Sequence, residues 1–163
     1  MKKKTSLLLA FITVLSFNSF GKTKEAYVDY IKLAENMEFR FEASSLNSSK
    51  GFNKSLVGDN YSIVLDGDSA KGHLAYIGKV YSPSFGASGG VVFDNEIFDI
   101  KFKYKTKRGV EHLYLTFKVM GESETFNISM TLTEGGAAWV GVRSNNRQLC
   151  NYDGKIYPIE DRI

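Results

Sequence analysis

The feature that most limits what this chain can fold into is a two-residue alternation of apolar and polar side chains, renewed after one glycine-bearing turn after another. Phe98, Ile100, Phe102 and Tyr104 alternate with Asp99, Lys101, Lys103 and Lys105, and Arg108-Gly109 then leads into Leu113, Leu115, Phe117 and Val119. Gly121 to Ser123 precedes Phe126, Ile128, Met130 and Leu132, and Gly135-Gly136 precedes Ala138, Val140 and Val142. Successive side chains of a strand point to opposite faces, so each run reads as a strand with one apolar side. Met37, Phe39, Phe41 and Ala43 show the same period, as do Tyr61, Ile63 and Leu65 after a polar loop from Ser44 to Asp59. Asp66-Gly67 is strong hairpin chemistry. The chain returns through His73 to Ile77, loosens over 82–86, and gives a short strand at Val91 and Phe93 that Asp94-Asn95 is expected to turn. Asp153-Gly154 is expected to close a last hairpin between Leu149 and Tyr157.

Nothing in this pattern offers the long helices that parallel crossovers need, so neighbouring strands pair antiparallel. A sheet with one greasy face must close on itself or stack on another sheet. The expected fold is all-β: a single antiparallel meander closing as a small barrel or a two-layer sandwich. Apolar residues at Ala26, Tyr27, Tyr30, Ile31, Leu33 and Ala34 have helical spacing, which adds one short N-terminal helix between about Lys24 and Asn36.

The first residues follow different rules. Lys2, Lys3 and Lys4 precede an apolar stretch from Leu7 to Phe17, and the small residues Ser19 and Gly21 suit a signal peptidase. The stretch is shorter than the roughly 20 residues of a membrane-spanning helix. Residues 1–21 are therefore expected to be a cleaved signal peptide, with Gly21 the last residue removed and 22–163 a single β-rich domain without a transmembrane segment. No cysteine near the cut offers a lipid attachment point, which predicts a periplasmic or secreted product. Three of the 21 Lys and Arg lie in this leader, leaving 18 basic against 18 acidic residues. The balance gives nucleic-acid binding no support. Cys150 is the single cysteine, so no internal disulfide is expected and packing must supply the stability.

Several segments resemble one family: FRFEA, HLAYIGKVY, the glycine pair before VVF, and above all SNNRQLCNYDGKI. The chain from about Glu38 to Pro158 is similar to the bacterial family catalogued as domain of unknown function 4251, found mainly in exported proteins of Bacteroidota. The most specific element is Ser144-Asn145-Asn146-Arg147 with Tyr152, Asp153 and Gly154. The resemblance implies a β-rich secreted domain and no assigned activity. Cys150 departs from the small or apolar residue expected there, which speaks against an essential thiol.

The residues point to binding more than to catalysis. The histidines His73 and His112 stand on different strands, and no nucleophile elbow or papain-like segment accompanies Cys150. A hydrolase is the least favoured reading, and a non-enzymatic domain is expected. Asp66-Gly67-Asp68-Ser69 opens like a calcium loop, but Lys71 and Ile77 stand where its glycine and bidentate glutamate belong. No metal or cofactor is expected. Phe39, Phe41, Phe102, Tyr104 and Phe117 fall in inward sets, where they either fill the interior or line a pocket for a small apolar ligand. Arg147, expected to meet a carboxylate, is grouped with them as a ligand-contact candidate. Lys101, Lys103 and Lys105 share one strand face, either a solvated surface or a dock for an anionic envelope component. The leading expectation is a binding domain for an apolar ligand or an envelope partner. The alternative is a structural or interaction protein working through that lysine face. Trp139 alternates with Ala138 and Val140, so its indole is expected to face outward as a contact residue.

Overall fold

The computed structural model describes residues 28–81 and 89–159. The elements are α1 (Tyr30–Glu35), β1 (Glu38–Ser48), β2 (Asn53–Ser55), β3 (Ser62–Asp66), β4 (Ser69–Leu74) and β5 (Val91–Lys107). They continue with β6 (Val110–Gly121), β7 (Thr125–Thr133), β8 (Ala137–Arg143) and β9 (Cys150–Pro158). All pairings are antiparallel, and β3 to β9 follow one another as a meander. β9 pairs back onto β1 from Phe39↔Pro158 to Ser48↔Cys150, which closes eight of the strands into a barrel. The ninth, β2, lies outside this ring against the far half of β1. The expected signal segment with its expected cleavage point at Gly21, the expected helix residues 24–27 and the loosened stretch 82–86 lie outside the described residues.

Alternation carries the inside. Phe39, Phe41, Ile63, Leu65, Leu113, Leu115, Phe117, Ile128, Met130, Val140 and Tyr152 are all closed from solvent. An eight-stranded barrel is just wide enough for such side chains to fill it. Phe93 illustrates the fit: its ring lies 2.2 Å from where a Cβ on Gly72 would stand, so the glycine makes room for the ring.

Both mouths are covered. At the lower end α1 touches β1, β7 and β9, with Ala34 fully buried and Tyr30, Ile31 and Leu33 packed on the core. Asp29 caps the helix by accepting from Lys32 N at 3.0 Å. At the upper end residues 75–81 cross the opening. The Tyr152 hydroxyl rises from the core to donate to Ala75 O at 2.6 Å, Cys150 Sγ lies 3.2 Å from Ile77 O, and Val80 bridges to Arg147.

Three expectations about the strands need correction. β5 does not turn at Asp94-Asn95; it runs straight through, with Asp94 opposite Lys71 and Asn95 opposite Ala70. Asp153-Gly154 is not a hairpin but the middle of β9, opposite an irregularity in β1 between Ala43 and Ser45. A Cβ on Gly154 would stand 1.9 Å from Glu42 O, so this glycine serves a close approach of two backbones. The loop expected from Ser44 is still strand as far as Ser48.

The fourth correction concerns facing. Phe98, Phe102 and Tyr104 were expected inside with Ile100, but their exposures are 44%, 40%, 47% and, for Ile100, 37%. Register shifts between Phe93 and Ile97 and again between Phe98 and Lys101 break the alternation. Phe98 pairs with the outward Lys118, whereas Phe102 and Tyr104 pair with the inward Leu115 and Leu113. They follow the inner face but lie beyond β4, whose pairing with β5 ends at Glu96, and so remain uncovered.

Candidate functional site

The six residues proposed as ligand contacts are not brought together. Phe39, Phe41 and Phe117 are sealed inside the barrel. Phe102 and Tyr104 stand on the protruding part of β5, where the Tyr104 hydroxyl donates to Glu35 Oε1 of α1 at 2.7 Å. Arg147 is at the opposite end. Its Nε donates to Glu124 Oε1 at 2.6 Å and its Nη1 to Gly90 O at 2.7 Å, while its guanidinium lies 5.2 Å from the Tyr76 ring centroid. Glu124 also accepts from the Ser144 hydroxyl, whose oxygen in turn accepts from Asn146 N at 3.2 Å. Both members of the Arg147–Glu124 ion pair are nearly closed from water. The Ser144-to-Cys150 stretch is thus the clasp of the upper end, tying the β6–β7 turn to the covering segment.

The groups considered for catalysis have other surroundings. Burial pushes the Cys150 thiol above its ordinary range, against smaller lowering from Ile77 O and Arg147. A thiol held protonated is a poor nucleophile. Burial raises the Tyr152 phenol strongly, with the neighbouring Cys150 and Tyr76 adding to it. His73 packs against Tyr61, with ring centroids 5.2 Å apart. Among the described residues no cluster of three or more His, Cys, Asp or Glu is placed to hold a metal ion.

Lys101, Lys103 and Lys105 do share the outer face of β5, opposite Thr116, Tyr114 and His112. Lys101 is bound to Asp99 at 2.9 Å, and Lys105 Nζ lies 5.7 Å from the Tyr114 ring centroid.

A concavity on the outer wall combines aromatic and charged side chains. A groove of about 570 Å³ runs across β8, β9, β1 and β3, with residues 56–60 forming its far bank. Its floor is built by register. Trp139 stands opposite Asp153, Ala137 opposite Lys155, Lys155 opposite Glu42, and Tyr157 opposite Arg40. These are outward positions, arranged in rows two residues apart, about 7 Å. Ala137 contributes only a methyl and leaves a hollow beside the indole.

The polar groups around that hollow are oriented. Asp153 Oδ2 accepts from Ser45 Oγ and Asn47 Nδ2, both at 2.8 Å. Arg40 reaches Glu42 at 2.7 Å, while its buried Nε has no hydrogen-bond partner among the described residues. The bank is anchored by the buried Leu56, whose N–H donates to Ser44 O at 2.9 Å. Trp139 itself is 46% exposed. Alternation alone had marked Trp139. The partners were hidden because they come from strands far apart in the chain.

Fold and surface together define a closed, eight-stranded antiparallel barrel with a filled interior and an aromatic groove on its outside. The sequence profile described as "Domain of unknown function (DUF4251)" matches residues 22–156, and the chain belongs to that family. It is similar to the crystal structure of a DUF4251 family protein from Bacteroides eggerthii DSM 20697, with 24% identity and a TM-score of 0.63. The similarity covers 81% of this chain and 87% of the other, and it concerns the fold. No curated protein matches the chain.

Proposed function

We propose that this is an exported, non-enzymatic binding domain that takes its ligand on the outer groove rather than inside the barrel. The observation that carries the reading is Trp139, a large half-exposed aromatic in a concavity ringed by Arg40, Glu42, Asp153, Lys155 and Tyr157. Exposed indoles supply contact area at low entropic cost, and convergent polar groups fix a ligand's orientation. The interior is a poor alternative, because Phe39, Phe41 and Phe117 are packed in the core, Phe102 and Tyr104 lie outside it, and both mouths are covered. The ligand chemistry that fits has one apolar face and a rim of hydroxyl or charged groups, as a saccharide ring has. Export rests on the leader: three lysines, the apolar run from Leu7 to Phe17, and small residues ending at Gly21.

Trp139 is the single tryptophan of the chain, so selectively excited tryptophan emission reports on this groove. Titration with a panel of mono- and oligosaccharides is expected to shift or quench the emission saturably. Trp139→Phe is expected to weaken binding roughly tenfold, read by calorimetry, and to change stability by no more than about 0.5 kcal/mol at this exposed position. A panel that leaves the emission unchanged, or a variant that binds as well as the parent, would overturn the reading.

A further inference from the structure

Among the described residues the far edge of β5 is unpaired. β4 pairs with Val91 to Glu96 only, the β3–β4 turn ends with Ile97 N donating to Asp68 O at 2.9 Å, and from Phe98 to Lys107 the described residues give β5 a partner on one side alone. Every residue of that stretch is exposed. A row of unpaired backbone donors and acceptors is a template for another strand, and proteins ordinarily blunt such edges with charge, proline or bulges. Here the edge is only half blunted. Asp99 forms a bulge with φ of 55°, and Lys101, Lys103, Lys105 and Lys107 line the outer face, but Ile100, Phe102 and Tyr104 offer an apolar row on the other.

We infer that this edge is a strand-addition site for an extended segment of a partner protein that alternates acidic with apolar residues. The proposal concerns a different surface from the outer groove and does not rest on it. Backbone hydrogen bonds would extend the sheet, the apolar side chains would cover Ile100, Phe102 and Tyr104, and the carboxylates would meet the lysines across the strands. Charge decides between occupants. A second copy pairing antiparallel on the same edge would set lysine against lysine, which is repulsive, so the row that discourages self-pairing selects an acidic guest. Lys103, Lys105 and Lys107 take part in no salt bridge among the described residues, while Lys101 shares Asp99 with Lys118.

The test uses the mature full-length protein and three labelled peptides. One alternates Glu with Val, one alternates Lys with Val, and one is the acidic peptide with two prolines replacing valines. By fluorescence anisotropy the acidic peptide is expected to bind roughly tenfold or more tighter than either of the others, the size that a few cross-strand charge pairs supply. The double variant Lys103→Glu with Lys105→Glu is expected to lose that preference while keeping its circular dichroism. Hydrogen exchange is expected to show new amide protection confined to 98–107. Absent binding, equal binding of the proline peptide, or peptide displacement by anionic phosphatidylglycerol vesicles with no amide protection would overturn the proposal. A concentration-dependent dimer that protects the same amides would overturn it in favour of a second copy.

Discussion

Asp99 shows how much a single residue settles on this surface. Its backbone has positive φ, a conformation Asp tolerates better than most residues, and its carboxylate joins Lys118 at 2.8 Å and Lys101 at 2.9 Å. Hydrogen bonds from Lys118 first and Lys101 second hold its carboxyl down from the ordinary 3.8 to about 2. A carboxyl lowered by folding contributes above its ordinary value and loses that contribution as pH falls, here between 3.8 and about 2. Carboxyl-carbon NMR is expected to find Asp99 titrating near the lower figure, and Lys118→Met is expected to move it back upward. A parent titration at the ordinary carboxylate value would refute the bridge. The sequence displayed Asp99 as one more polar residue in an alternating run. That it bends the strand and reverses which side Phe98 faces depends on the register against β6, which no local pattern encodes. Arg147 was equally half legible. A carboxylate partner was expected, but Glu124 stands on a turn 23 residues away and only the closed barrel brings it near.

Strand identity followed from period and turn chemistry, and the hairpins at Asp66-Gly67, Arg108-Gly109 and Gly135-Gly136 stand where those residues are. Two signals misled because the same dipeptides serve other ends. Asp94-Asn95 is paired on the surface of β5, with Asp94 salt-bridged to Lys71 at 2.8 Å. Asp153-Gly154 is the place where β9 and β1 crowd each other. Gly154→Ala is therefore expected to destabilise the fold by about 1–3 kcal/mol or more, the usual cost of overpacking, seen as a lower urea midpoint. An unchanged midpoint would mean that the two backbones are not so close. The outer groove escaped sequence reading for a related reason: Trp139 sits on β8, Tyr157 on β9, Arg40 on β1 and Tyr61 next to β3.

For the molecule as a whole, barrel and sandwich were equally open from alternation, and the pairing of β1 with β9 decides for the barrel. The same closure separates inside from outside strictly enough to be measured chemically. Cys150 is fully buried under the upper covering segment. Native protein is expected to react with iodoacetamide roughly 10³-fold or more slowly than protein in urea, since exposure requires opening against a stability of about 5–15 kcal/mol. Equal rates would show that the upper end stands open in solution.

The seam between the first strand and the last also governs the order of events at birth. A polypeptide emerging amino end first, from a ribosome or through an export channel, presents Phe39 and Phe41 long before their neighbours Ile156 and Pro158 have been delivered. Contacts so distant along the chain form slowly, and greasy strands awaiting them are prone to stick to one another. The nascent chain therefore needs shelter until its carboxyl-terminal strand arrives to zip the cylinder shut.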